Sequence, residues 1–544
     1  MGIGFGIECV VLAIGTYALL HHYKDAQVGA IVSGTVFFSW YVGFLGLVLL
    51  PLDLTTTASG QDKAYPLLLT AWQLVYWFTF VLSWVVLPIL IEFSQSGAFS
   101  TEQRLRLSIK YLLRHYAVLL TLGFVLFLYL VVVDHFTIGG VLGLVMTLGN
   151  TYGLLWIICL LGYGLINIPR KVYAYSDPSL RLRQLYFRAI HVHDERVEAQ
   201  FVYDDVVREV RQLAARFRTI EAATIIVSPD FQYIKQCIDH LMGTIGLDTD
   251  VEAAKPLKRQ TRSSYRSLPG PALDDTLPTE KEIIHLNGRA KRVQADLRRC
   301  DQTWIDLCYD GQQLQLAARS PSPLVPLLAK TLTCICVLGS AVIMWSEVVM
   351  GGAEWLSPLR LLLASAASTH ILVIGLLLYM GLCTYQSLFS MRGFGRLALH
   401  GNHNSTELSL LTTSVHQSRL QFSLGYNFLL LLNASTLTSR TAFHALFTDM
   451  RLIHFFGTDF SMYAPTLLLV LAVCTLLNGY ARLVRYLGLD QYEELLHGHV
   501  EHEAKVHQGE ALVQRGIEKY ARQWATKAAA TGSELAAPLL AANE

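Results

Sequence analysis

Apolar residues fall into two patterns along this chain. The first is continuous: runs of about 20 apolar residues at roughly 4–22, 27–50, 66–91, 112–133, 140–168, 325–346, 358–384, 421–446 and 463–486. A run of that length crosses a hydrocarbon layer of about 30 Å as a helix. A membrane β-barrel would instead show alternating segments of about ten residues, and these runs do not alternate. The second pattern is periodic. Leu185, Ala189, Val192, Ala199, Tyr203, Val206, Val210, Leu213, Phe217 and Ile220 recur at helical spacing, interrupted by Arg196. Further on, Ile283, Leu286, Ala290, Val293, Leu297, Cys300, Trp304 and Leu307 alternate by three and four, as a heptad seam does.

The periodic segments have helix-start signals. Asp177-Pro178 reads as an N-cap followed by proline at the first helical position. Thr279 and Glu282 form a capping box. Two helices of about 40 residues would each reach about 60 Å. Both ends of the region return to the membrane, which predicts an antiparallel coiled-coil hairpin. The seam could close within one chain or between two copies, the second giving a homo-oligomer. Between the helices, about 244–278, Pro, Ser and basic residues read as a flexible linker, with Thr261, Ser263 and Ser264 placed after basic residues as kinase targets do.

The predicted fold is therefore all-α and integral to the membrane. Spans one to five occupy 1–169, the coiled-coil arm 170–322, spans six to nine 323–486, and a C-terminal helix and tail 487–544. The first run lacks a basic leader and a small-residue cleavage site, so it reads as a retained helix. Charge sets the orientation. Lys24, Arg104, Arg106, Lys110, Arg114, Arg170, Lys171, Arg392, Arg396, Arg419, Arg482 and Arg485 flank one side, against Lys63, Arg360, Arg440 and Arg451 on the other. With an odd number of spans this predicts an outside N-terminus and a cytosolic C-terminus, in the plasma membrane or an endomembrane.

Composition agrees: 53% of the 544 residues are hydrophobic and 16% charged, against about 25% charged in soluble domains. The nine cysteines show no disulfide pattern. The sequons at Asn404 and Asn433 fall on a cytosolic loop and within a span, so neither is expected to carry a glycan.

One stretch joins both patterns. GNTYGLLWIICLLGYGLINIPRK, Gly149 to Lys171, is apolar yet notched by glycines. Gly149 and Gly153 are spaced as a GxxxG pair, which lets helix backbones approach closely in lipid and predicts a helix inside the bundle. Pro169 is expected to end the span, with Arg170 and Lys171 at the headgroups as the root of the arm.

Polar groups inside spans are candidate ligand contacts or helix–helix contacts. They are Glu8, Asp53, Asn150, His370 and Asn427, with Asp53 placed just past the end of the second span. Glu8 and His370 could pair. On the arm, Val210, Phe217, Leu297 and Trp304 are candidate partner contacts. His497, His499, His502 and His507 cluster near the C-terminus, but their spacing matches no metal motif, and no metal or other cofactor is expected. Hydrolase, metalloprotease and nucleotide-binding signatures are absent, so no enzyme activity is expected. No basic stripe with aromatic spacing points to nucleic acid.

Five stretches carry a family resemblance: GNTYGLLWIICLLGYGLINIPRK, PLDL at 51–54, STELSLLTTSVHQSRLQFSLGYNFLLLL at 405–432, YAPTLLLVLAVCTLLNGYARLVRYLG near the last span, and HQGEALVQRGIEKYARQ in the tail. In order and over nearly the whole chain, they resemble the limb-region and lipocalin-receptor-like (LMBR-like) membrane proteins, in particular the branch called LMBR-domain-containing of the second type. The resemblance implies nine spans, an outward N-terminus and a large cytosolic coiled-coil loop. It implies roles such as endocytic lipocalin reception, cobalamin export and regulation of G-protein-coupled receptor signalling, none of them enzymatic. The exposed outer loops are short, whereas the arm is large enough for an ordinary interface of about 800 Å² per partner. The reading is a scaffold or regulator of receptor signalling or endocytic trafficking, with the lipid bilayer and signalling or trafficking proteins as partners. The alternative is a transporter or receptor for a small apolar ligand, such as a lipocalin cargo or a vitamin.

Overall fold

A computed structural model of the chain describes residues 2–60, 64–134, 141–223, 229–246, 277–319, 324–349, 358, 369–390, 398–432, 439–447, 458–477 and 503–531. Fifteen α-helices occupy these residues: α1 (Gly2–Tyr23), α2 (Ala30–Ala58), α3 (Tyr65–Val81), α4 (Leu87–Gln95), α5 (Thr101–Asp134), α6 (Val141–Ala174), α7 (Pro178–Ala223), α8 (Pro229–Ile245), α9 (Glu280–Arg319), α10 (Leu324–Val349), α11 (Thr369–Phe389), α12 (Glu407–Leu432), α13 (Ala442–Phe447), α14 (Thr458–Leu476) and α15 (Glu503–Thr531). A π-helical turn, Leu82–Val86, joins α3 to α4. Among the described residues the extended pairing is one isolated bridge, Lys24 to Ser405.

Seven described stretches are long and apolar enough to cross a membrane: α1, α2, the continuous run α3–α4, α5, α6, α10 and α11. The molecule is an all-helical integral membrane protein. The eighth apolar run, 421–446, is not one helix. α12 begins at Glu407 and ends at Leu432, and the six-residue α13 starts at Ala442. The first half of α12 is polar and shielded by protein rather than lipid, so hydropathy places its start too late. The ninth run is represented by α14, and residues 478–502 lie outside the described set.

The chain divides into two compact units, Met1–Leu90 with His115–His191 and Ile305–Glu544, and Ile91–Arg114 with Val192–Trp304.

In the first unit, α6 packs against α10, α11, α12 and α14, while α2 packs against α1, α3, α11 and α12. The glycine-notched stretch thus lies inside the bundle. A Cβ on Gly164 would stand 2.3 Å from the backbone oxygen of Cys383, so only glycine allows this contact with α11. Gly153 faces the side chain of Ser423 on α12. Pro169 does not end the helix, which continues to Ala174. Proline removes the N–H that would bond the carbonyl four residues back. That carbonyl, Leu165 O, instead accepts from Ser340 Oγ of α10 at 2.7 Å, and a neighbouring helix is how membrane proteins tolerate proline within a span. Outside the core, α5 carries strongly exposed apolar side chains such as Leu120 and Val132, as a lipid-facing helix does.

In the second unit, α7 and α9 run antiparallel, because ion-pair partners descend α9 as they ascend α7: Arg196–Asp301, Glu209–Arg289 and Arg216–Glu282. The seam closes within the chain. α8 is an element that a two-helix hairpin lacks. Its Phe231, Ile238, Leu241 and Met242 join Val210, Leu213 and Phe217 of α7 and Ile283, Ala290 and Val293 of α9 in one apolar core. The α4–α5 turn docks on α9. A Cβ on Gly97 would lie 1.9 Å from Ile284 O, and Asn287 Nδ2 donates to Gly97 O at 2.6 Å.

Candidate functional site

The polar side chains of the first unit converge on α12. Thr406 caps its start, accepting at Oγ1 from the Ser409 N–H at 3.4 Å. Eighteen of its 26 residues are buried, and they include Ser409, Thr413, Ser414, Gln417, Ser418, Gln421, Ser423 and Asn427. A helix this polar is stable inside a membrane bundle only if neighbouring helices satisfy it.

They do so at several levels, with Gln417 Oε1 and Arg419 Nε left buried without a partner. Glu407 Oε1 accepts from the Gly29 N–H, which opens α2, at 2.9 Å. Trp40 Nε1 donates to Ser414 Oγ at 2.9 Å. Gln421 is satisfied when its amide nitrogen donates to Val42 O at 2.8 Å and Gly43 O at 3.1 Å while its oxygen accepts from Thr79 Oγ1 at 2.8 Å. One amide then ties α2, α3 and α12 together. Arg419 Nη2 donates to Ser83 O at 3.0 Å, and its guanidinium lies over the Trp84 ring at 4.1 Å. Ser83 and Trp84 belong to the π-helical turn, where the ordinary helical ladder is broken. Trp84 O accepts from the Tyr116 hydroxyl.

Two buried carboxyls stand at the Asn427 end of α12. Asp53 lies within α2, not beyond it, and is fully buried. Its Oδ1 accepts from Ala442 N at 3.1 Å, and its Oδ2 from Phe443 N at 2.8 Å and Trp72 Nε1 at 3.1 Å. It therefore caps α13 and fixes it against α2 and α3. Asn427 Nδ2 donates to Glu347 Oε1 at 3.1 Å. Glu347 is 2% exposed, and its Oε2 has no hydrogen-bond partner. The sequence reading passes over Glu347 because it falls one residue beyond the sixth apolar run.

The other candidate residues fare differently. Glu8 is half-buried on α1. The side chains of Asn150 and His370 lie outside the described set, and with them the Glu8–His370 pairing. On the arm, Val210 and Phe217 are buried in the three-helix core, and Trp304 is 4% exposed with its ring 5.1 Å from His193. Leu297 is half-buried. Val210 and Phe217 thus pack within the chain's own core, and Leu297 keeps part of its side chain exposed. His497, His499 and His502 lie outside the described residues, among which no group of three or more His, Cys, Asp or Glu could hold a metal.

A helical bundle organised on one buried polar helix, with an antiparallel arm inserted between two spans, defines a multi-pass membrane protein. The model of the LMBR1-like membrane protein family matches residues 1–480. The chain belongs to that family. It is 22% identical to the human G-protein coupled receptor-associated protein LMBRD2, over 90% of this chain and 80% of that one. It is 24% identical to the Dictyostelium discoideum LMBR1 domain-containing protein 2 homolog A, over 77% and 59%. With the Drosophila melanogaster LMBR1 domain-containing protein 2 homolog it shares 21% over 97% and 84%. No solved structure matches the chain.

Proposed function

We propose that this protein is a nine-span membrane scaffold that regulates G-protein-coupled receptor signalling or receptor trafficking, with its N-terminus outside and its arm and C-terminus in the cytosol. The observation that carries the reading is the arm's division of labour. Its apolar seam is consumed internally by α7, α8 and α9, leaving a rigid, charged surface on which Val197 and Phe201, one turn apart on α7, are exposed at 40% and 65%. Exposed apolar side chains on a rigid charged element are what a protein partner uses as anchors. The printed name of the human relative supports receptor association. Cross-linking mass spectrometry of full-length protein co-expressed with a G-protein-coupled receptor tests it. Arm-to-receptor cross-links should form and should be lost in the Val197→Asp/Phe201→Asp double variant. Cross-linking no greater than to an unrelated multi-pass protein contradicts it.

A second reading, a carrier or receptor for a small apolar ligand, is favoured by the buried Glu347–Asn427 pair. A bare carboxyl oxygen in a bundle interior is where a ligand hydroxyl would bind. Saturable binding of retinol to reconstituted protein, lost in Glu347→Gln, would support it, and binding indifferent to that change would end it.

A further inference from the structure

Arg419 is a half-buried cation in the middle of α12, with no counter-charge among the described residues. It lies about 18 Å along α12 from Glu407, at 1.5 Å per residue, and its partner Ser83 is well inside the apolar run Tyr65–Gln95. A guanidinium keeps its proton at any physiological pH, so this charge cannot be relieved by deprotonation and calls for an anion or a full set of acceptors. Among the described residues it has neither. Nη2 bonds Ser83 O, Nε is buried without an acceptor, and no carboxylate stands within ion-pair distance.

The side chains around it do not form a closed shell. Tyr116 and Tyr152 lie close enough for their hydroxyls to sense the guanidinium charge, and the Trp156 ring is 6.2 Å from that of Tyr152. Trp84, Tyr116 and Trp156 are half-buried and Tyr152 is exposed. Next to them Val85 and Leu155 are exposed apolar residues, so this side of Arg419 adjoins an apolar surface of the bundle.

We propose that the uncovered side of Arg419 binds an amphiphile with one anionic oxygen headgroup, a long-chain carboxylate or a phosphate monoester. The headgroup would sit on Arg419 and the chain would lie along the aromatic wall. Stacking on Trp84 covers the face of the guanidinium and leaves its in-plane N–H groups for a planar anion, the geometry that favours bidentate carboxylate recognition. Depth argues against a zwitterionic headgroup, which would bring a second charge into hydrocarbon. The inference does not rest on the scaffold reading.

The test uses full-length protein in phosphatidylcholine nanodiscs and a diazirine-bearing palmitate as photoprobe. Labelled peptides should include Trp84 or Tyr116. Arg419→Gln should cut labelling about tenfold, the scale of a lost charge-assisted bond, with Arg419→Lys intermediate. Competition on the wild-type protein guards against a variant that fails to fold. Displacement by oleate alone assigns a carboxylate, displacement by phosphatidate alone assigns a phosphate headgroup, and either supports the site. Equal displacement by oleyl alcohol, which has a similar chain and no charge, overturns the proposal, as does unchanged labelling in a folded Arg419→Gln variant.

Discussion

Helices α9 and α12 each turn one face into a protein interior, yet those faces are built in opposite senses. α9 turns Ile283, Ala290 and Val293 inward and carries its charges outward, where Arg289 meets Glu209 at 2.7 Å. α12 turns Ser414, Gln417, Gln421 and Asn427 inward, among helices whose outer faces carry exposed leucine and valine. The difference follows from the solvent. Around the arm, water makes apolar burial the driving force. Within the bundle, lipid is as apolar as leucine, so helices are selected by close packing and by hydrogen bonds between them. A polar residue that would weaken the arm's seam becomes the specific contact of the bundle.

The largest effect is expected at Asp53. Asp53→Ala leaves the Trp72, Ala442 and Phe443 N–H groups buried without their acceptor. Each buried donor left without its acceptor costs about 1–3 kcal/mol. The expected result is a large drop in thermal stability in detergent, with Asp53→Asn retaining part of it. An unchanged melting temperature would mean that polar contacts do not hold the bundle together.

The arm gives the opposite probe. Leu241→Ala on α8 removes a fully buried side chain and should cost about 2–5 kcal/mol, as for other core truncations to alanine. Hydrogen exchange should rise in α7, α8 and α9 together. Faster exchange confined to α8 would show that it is an appendage and not part of the core.

The smallest effect sharpens the electrostatic side. Burial, reinforced by the nearby Arg104 charge, holds the Lys291 ammonium below the ordinary lysine value of 10.5. A lysine with a lowered folded value adds stability only above its unfolded pKa, and loses that contribution as pH falls through the folded value. At pH 7 the charged side chain is therefore a cost. Lys291→Met should raise stability slightly at neutral pH, and the gain should shrink towards pH 11. A pH-independent gain would assign the effect to packing instead.

The same inversion decides what the sequence makes legible. The α9 seam and its capping threonine are visible because period and polarity agree, and Glu282 N does donate to Thr279 Oγ1, at 3.4 Å. Asp177 is equally plain: its Oδ1 accepts from Ser179 and Leu180, and the Ser179 bonds hold its carboxyl below the ordinary aspartate range. α8 escapes because its apolar set is short and lies beside a linker. α12 escapes because its interior is polar, so hydropathy registers only its second half. Asn427 and Asp53 stand out as polar residues in or beside apolar runs, but Glu347 and Ala442, their partners, are distant in sequence and are joined to them only by packing. Pro169 reads as a stop because the hydroxyl that rescues it, on Ser340, belongs to another helix.

The most direct measurement is the accessibility of the inner face of α12. Single cysteines at Ser414 and Ser423, which are 0% and 2% exposed, would be placed in a full-length background with all nine native cysteines replaced. They would be challenged in proteoliposomes with membrane-impermeant thiol reagents from each side. The packed polar helix described here predicts no labelling at either position until the protein is denatured. Labelling from either side in the folded protein would reveal a water-filled path along α12 and contradict that account.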